Sequence, residues 1–159
     1  IGFLYAGLMV KDNEPFLIEY NVRMGDPECQ TILPLLNNDF VEIIENCVNG
    51  TLKKLKLEWN ALRSICIVIA SKGYPDSFDK NILIENLEKF ENSKDKYIFH
   101  AGTKKEDDRF YSTGGRVLNF VSVADNFKKA RDECLNQIKE LNWKNGHYRN
   151  DIGYRVIKN

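Results

Sequence analysis

Phe16-Leu-Ile-Glu-Tyr-Asn-Val-Arg-Met-Gly-Asp-Pro-Glu28 reads as a strand that runs straight into a polar loop opened by a glycine. Side chains alternate across a strand, so the pattern places Leu17, Glu19, Asn21 and Arg23 on one face. Ile18, Tyr20 and Val22 take the other, apolar face. One strand end therefore carries a carboxylate, an amide oxygen and a guanidinium in register. Carboxylate and amide oxygens suit Mg²⁺, which usually keeps substrate phosphates in its shell. A guanidinium suits phosphoryl oxygens, to which it donates two parallel hydrogen bonds. The set fits a metal–phosphate complex.

Upstream, Phe3 to Val10 reads as a partner strand, and Lys11-Asp-Asn-Glu14 is a polar turn of the kind that closes a hairpin. Downstream, Glu28 to Leu36 reads as a short helix. Asp39 followed by Glu42 is a capping-box start for a helix to Cys47 or Val48, with Gly50 as its stop. Thr51 to Leu62 is polar and charged and reads as a link between two domains, 1–60 and 61–159.

The second half has a different rhythm. Ser64 to Ala70 is a β-branched strand with the look of a buried one. Gly73-Tyr-Pro75 is a turn. Tyr97 to Ala101 and Val117 to Val123 are further strands, separated by the charged loop Lys104 to Arg109. A helix starts near Asp125, with Phe127, Ala130, Cys134, Ile138 and Leu141 on one apolar face. Gly146 ends that region, and Tyr148 to Val156 is a last extended or turn segment. The fold class expected is α/β, in its α+β form: a small sheet covered by a helix follows the motif strands.

Composition narrows the function. Lys+Arg and Asp+Glu both number 23, so the formal net charge over 159 residues is zero. That argues against a nucleic-acid arm or a polybasic membrane anchor. No apolar run approaches a membrane span, and no N-terminal signal pattern is visible. Cys29, Cys47, Cys66 and Cys134 are scattered without a Cys-x-x-Cys, as in reduced thiols of a cytoplasmic protein. His100 and His147 lack neighbouring ligands and read as structural.

Leu17-Ile-Glu-Tyr-Asn-Val-Arg-Met-Gly-Asp-Pro-Glu28 resembles the metal strand of ATP-grasp ligases, and the continuation into Cys29-Gln30 narrows the resemblance to the glycinamide ribonucleotide synthetase family. Leu4-Tyr-Ala-Gly-Leu-Met9, Ser71-Lys-Gly-Tyr-Pro75, Phe99-His-Ala-Gly-Thr103 with Ser112-Thr-Gly-Gly-Arg-Val-Leu118, and Tyr148-Arg-Asn-Asp-Ile-Gly153 agree with it in order and spacing. The resemblance implies the tail of an ATP-grasp domain followed by a small C-terminal domain that completes the substrate cleft. The partner it implies is the N-terminal part of the same enzyme, roughly three-fifths of the whole, without which the chain is expected to be inactive.

The implied reaction uses ATP to join glycine to 5-phosphoribosylamine through glycyl phosphate, giving glycinamide ribonucleotide, ADP and phosphate in purine biosynthesis. Mg²⁺ or Mn²⁺ would sit on Glu19 and Asn21. Arg23 would stabilise the transferring phosphoryl or acyl-phosphate oxygens. Asp26 and Glu28 would serve the amine and glycine, holding an ammonium or, at Asp26, taking the amine proton. Thr113, Gly114, Gly115 and Arg116 would hold the phosphate of phosphoribosylamine, two glycines allowing close approach and a cation completing the grip. One departure stands out. Many ATP-grasp enzymes carry a metal carboxylate twelve residues before the motif glutamate, and that position here is Gly7.

Each of these residues has a plainer reading. Glu19 and Asn21 fit an ordinary exposed sheet edge. Arg23 fits a surface ion pair with Asp26 or Glu28. Those two carboxylates fit caps of the next helix, and Gly114-Gly115 fits a tight turn. Ser71–Pro75 and Tyr148–Gly153 carry no chemistry of their own. Another ATP-grasp carboxylate–amine ligase or a carboxylase would share Glu-x-Asn-x-Arg, and a non-catalytic binding domain also stays open.

Overall fold

Asp12 and Asn13 both take left-handed backbone, with φ of 53° and 65°. Two such residues make the type I′ turn that matches strand twist, and they close β1 (Tyr5–Lys11) onto β2 (Glu14–Asn21). The computed structural model describes residues 1–157. It divides into two compact units, Ile1–Asn60 and Ala61–Asn159.

In the first unit, β1 and β2 form a two-stranded antiparallel ribbon. Gly7 pairs with Glu19 and Leu8 with Leu17, so Ile18 is an extra, unpaired residue, a β-bulge. The bulge corrects the face assignment. Glu19 and Asn21 share a face with their partners Gly7 and Tyr5, whereas Leu17 follows Leu8 to the opposite one. Ile18, Tyr20 and Val22, the apolar residues of the strand, are 63%, 62% and 87% exposed. A two-stranded ribbon has nothing stacked on it within this unit.

Beyond the ribbon, α1 (Glu28–Ile32) runs into a 3₁₀ turn, Leu33–Leu35, where Pro34 withholds an N–H. The helix α2 (Phe40–Val48) starts as expected: the Asp39 carboxylate accepts from the Val41 N–H at 2.7 Å. Gly50 takes φ +68° just past its end. The Thr51–Leu62 stretch is not open linker. It folds back on the unit through Asn37 N–H to Glu58 O and Asn60 N–H to Leu35 O, both 2.9 Å.

The second unit holds the core. Its main sheet has the order β5 (Lys96–His100), β8 (Arg116–Ala124), β3 (Arg63–Ser71), β9 (Gly146–His147), all antiparallel. The run Arg63-Ser-Ile-Cys-Ile-Val-Ile-Ala-Ser71 is β-branched at alternate positions, which suits a central strand packed on both faces. The helix α3 (Phe127–Leu141) covers β3 and β8, burying Ala130, Cys134, Ile138 and Leu141. Asn126 caps it by accepting from the Lys129 N–H at 2.9 Å, and Asn142 at φ 52° ends it. Phe120 sits at the centre, fully buried, with Phe90 edge-on at 6.1 Å between ring centroids. The Cys134 thiol points at the carbonyls of Ile65 and Phe120, 3.4 Å from each, and burial pushes its pKa up to about 11.

The charged loop expected over Lys104–Arg109 is a hairpin. β6 (Thr103–Glu106) and β7 (Arg109–Ser112) are joined by Asp107 and Asp108, both at positive φ. With β4 (Ile82–Leu83) they make a three-stranded sheet, order β4-β7-β6. The final segment is a turn leading into the short helix α4 (Tyr154–Ile157) rather than extended chain. Every strand pairing is antiparallel, so the fold is the α+β form of the expected class.

Candidate functional site

The bulge at Ile18 leaves Glu19 and Asn21 side by side on one face, at the end of β2. Asn21 Nδ2 donates to Glu19 Oε1 at 3.0 Å, and each side chain keeps an oxygen acceptor beyond that bond. Among the described residues no group of three or more His, Cys, Asp or Glu gathers as a metal site. Two protein oxygens still fit Mg²⁺, which is held by one or two carboxylates with substrate phosphates and water completing its shell. Gly7 faces Glu19 across the ribbon, and a Cβ there would come within 3.1 Å of Glu19 Cγ. The position twelve residues before Glu19 is therefore closely packed against that carboxylate's stem.

After β2 the chain bends. Arg23 is exposed, its Nη1 donating to the Met24 carbonyl at 3.2 Å. Gly25 is buried, and its carbonyl accepts from the Cys29 N–H at 2.9 Å, which starts α1. Asp26 accepts from Gln30 Nε2 at 2.8 Å. Neither Asp26 nor Glu28 caps the helix with its side chain; the N-cap is Pro27.

Glu28 instead turns back to the ribbon. Its Oε1 accepts from the Tyr5 hydroxyl at 3.2 Å. Its Oε2 lies over Gly25 so closely that a Cβ on Gly25 would overlap it, and would stand 3.0 Å from the Tyr5 ring. The Tyr5 hydroxyl is held above its ordinary pKa, first by the charge of Glu28, then by desolvation, by the hydrogen bond to Glu28 and by Glu19; Arg23 opposes them. Tyr5 thus joins Glu19, Arg23 and Glu28 in one electrostatic neighbourhood. Sequence reading gave Tyr5 no role. Its signal was register: at the first position of the partner strand, it pairs with Asn21.

In the second unit, Thr113, Gly114 and Gly115 form the turn between β7 and β8. The Thr113 and Gly114 N–H groups both point at one acceptor, the Gly102 carbonyl, at 2.7 and 3.3 Å. Two of the backbone amides expected to meet a phosphate are thus engaged within the fold, and Arg116 opens β8 directly after the turn. Gly102 has to be glycine here, since a Cβ would fall 2.6 Å from Gly114 Cα and 2.7 Å from Arg116 O.

The Ser71–Pro75 segment, to which sequence reading gave no chemistry, braces this turn. Ser71 donates twice, from N–H to Gly115 O at 2.7 Å and from Oγ to Gly114 O at 2.9 Å. The Tyr74 ring occupies the space where a Gly115 side chain would be. Tyr148–Gly153 holds an Arg149–Asp151 pair with bonds of 2.9 and 2.7 Å. His100 Nδ1 lies 2.8 Å from Thr103 Oγ1, and burial lowers its pKa, as suits a structural histidine.

Comparison with known proteins agrees with both halves. Residues 64–155 match the family model of the phosphoribosylglycinamide synthetase C domain, and residues 1–29 match that of the ATP-grasp (A) domain of the same synthetase. A phosphoribosylamine–glycine ligase of Fusobacterium nucleatum is 46% identical over 154 residues, covering 96% of this chain and 36% of the relative. A chloroplastic phosphoribosylamine–glycine ligase of Arabidopsis thaliana is 37% identical, covering 99% of this chain and 30% of its own length. The crystal structure of the Thermotoga maritima phosphoribosylamine–glycine ligase superposes with a TM-score of 0.71 at 31% identity, over 94% of this chain and 36% of that one. The chain thus spans about a third of the length of the relatives it matches. With the C-domain match running through most of the second unit and the A-domain match through the ribbon, this chain belongs to the phosphoribosylglycinamide synthetase family.

Proposed function

We propose that this chain is the C-terminal part of a ligase that joins glycine to 5-phosphoribosylamine at the expense of ATP, giving glycinamide ribonucleotide, ADP and phosphate for purine biosynthesis. The observation that carries the reading is the Glu19–Asn21 oxygen pair at the end of β2, followed within a few residues by Arg23 and the Gly25-Asp26 bend. A carboxylate is a poor acyl donor. Phosphorylating glycine's carboxylate supplies the leaving group that the phosphoribosylamine nitrogen then displaces.

In this reading Glu19 and Asn21 would hold Mg²⁺ or Mn²⁺, which would supply charge neutralisation on the ATP phosphates. Arg23 places a fixed positive charge where oxyanion charge develops, an effect that is largest when the donor is already in position. Glu28 binds an ammonium, and Asp26, exposed and steadied by Gln30, takes the proton from the attacking amine. Arg116 and the Gly115 N–H hold the phosphate of phosphoribosylamine. The two domains of the reading correspond to residues 1–60 and 61–159. The setting is the cytoplasm, a reducing compartment that suits cysteines scattered without a Cys-x-x-Cys. Among the described residues no helix is long and apolar enough to cross a membrane.

ADP release tests the reading. A full-length protein carrying this segment should release ADP only when ATP, Mg²⁺, glycine and fresh phosphoribosylamine are all present. Release that ignores glycine or phosphoribosylamine would sink the assignment. The 159-residue chain by itself should release none, because it spans about a third of its relatives' length and its ATP-grasp match covers residues 1–29 alone.

A further inference from the structure

Ser71 ends β3, and it reaches the turn before β8 with both of its donors. Its N–H donates to the Gly115 carbonyl at 2.7 Å and its hydroxyl to the Gly114 carbonyl at 2.9 Å. Two successive carbonyls are thereby drawn to one buried residue. A peptide unit is planar and trans, so its N–H points away from its own C=O. Fixing the Gly114 carbonyl therefore fixes the Gly115 N–H and aims it away from Ser71. Fixing the Gly115 carbonyl does the same for the next unit, which carries Arg116.

Two glycines in a row would otherwise let this segment swivel, since glycine has the widest backbone freedom of any residue. Tyr74 takes up the room to do so. Its ring lies where a Gly115 side chain would be, and Phe78 meets that ring edge-on at 6.0 Å between centroids. The Tyr74 N–H donates to the Ser71 carbonyl at 3.0 Å, so the ring is carried on a turn that starts from the same serine. Gly102 holds the other side, accepting from Thr113 and Gly114.

We infer that Ser71 and Tyr74 are positioning residues for the phosphate of phosphoribosylamine. Ser71 aims the Gly115 N–H and the base of Arg116, and the Tyr74 ring stops the glycine pair from turning away. The inference rests on the ligase reading above, in which that amide and that guanidinium hold the phosphate, and deepens it. A loose Gly-Gly turn would have to be ordered as the anion arrives, which weakens binding; the clamp orders it beforehand. Neither residue has to touch the substrate for this.

The test is steady-state kinetics of the full-length ligase, with each variant checked by thermal melting. Ser71→Ala removes the hydroxyl and Tyr74→Ala removes the ring. Each should raise KM for phosphoribosylamine about threefold to tenfold. KM for ATP, KM for glycine and kcat at saturating phosphoribosylamine should stay within about twofold, because a change in the binding of one substrate leaves the other steps alone. Tyr74→Phe should recover most of what Tyr74→Ala loses, since the ring is what faces Gly115. Tyr74 is partly exposed, so its variants read the clamp even if the buried Ser71→Ala variant does not fold. A lower melting temperature with KM for phosphoribosylamine unmoved would make both residues structural and overturn the inference, as would equal rises in KM for all three substrates. Arg116→Ala separates the inference from the reading beneath it. If Arg116→Ala raises KM for phosphoribosylamine and neither Ser71→Ala nor Tyr74→Ala does, the inference alone falls. If Arg116→Ala leaves that KM unchanged, the phosphate site is misplaced and both fall.

Discussion

Replacing Glu19 or Asn21 by alanine in the full-length ligase should lower kcat by about 10²–10³, the usual cost of removing one contact that stabilises transition-state charge. The two side chains are neighbours on an exposed face of the ribbon, and the hydrogen bond each makes is to the other. Neither supports a core, so both variants should keep the melting temperature of the parent. Stopped assays at several Mg²⁺ concentrations read the effect directly. Glu19→Ala should also raise the Mg²⁺ concentration needed for half-maximal rate, because a neutral amide alone is a weak ligand for a hard cation. Two folded variants with unchanged kcat and unchanged Mg²⁺ dependence would remove the metal assignment.

Arg116→Ala separates the two phosphate-bearing substrates. With the Thr113 and Gly114 amides tied to Gly102, the proposed function would place the grip on phosphoribosylamine largely on this guanidinium. Its loss should raise KM for phosphoribosylamine about tenfold to a hundredfold, equivalent to about 1.5–3 kcal/mol for a hydrogen bond to a charged group. KM for ATP and for glycine should hardly move. Arg116→Lys should recover only part, since an ammonium cannot present the planar fork. A variant that weakens ATP binding instead would make Gly114-Gly115-Arg116 a nucleotide contact. One that changes melting temperature alone would make it a turn and nothing more.

Elements whose signal is local were legible in the sequence. The Asp39 cap, the apolar stripe of α3 and the β-branched run of β3 each follow from residues within one turn or one strand. The Asp12-Asn13 turn was legible for the same reason. Elements whose signal is relational were not. Lys104-Lys-Glu-Asp-Asp-Arg109 carries the charges of a loop, yet Asp107 and Asp108 take the left-handed conformation that closes a hairpin. A bulge depends on the partner strand, so nothing in Phe16–Asn21 alone announces that Ile18 is unpaired. The amides of Thr113 and Gly114 looked available because Gly102, their acceptor, lies on another strand's approach. Nothing around Tyr5 announces its role, since its bond to Glu28 spans 23 residues.

The exposed ribbon has a consequence for how the chain behaves in the test tube. Among the described residues the buried apolar side chains all lie beyond residue 60, while the first unit relies on contacts such as the Phe3–Phe40 stack at 5.8 Å. A two-stranded ribbon is marginal in water without a packed face. Opening it therefore costs little, and opening the Phe120 core costs most of what holds the second unit together. Amide protons of β1 and β2 should exchange with solvent long before those of β3 and β8. A protease in limiting amount should trim the chain from its start and stall near Ala61, leaving the helix-covered sheet as the resistant product.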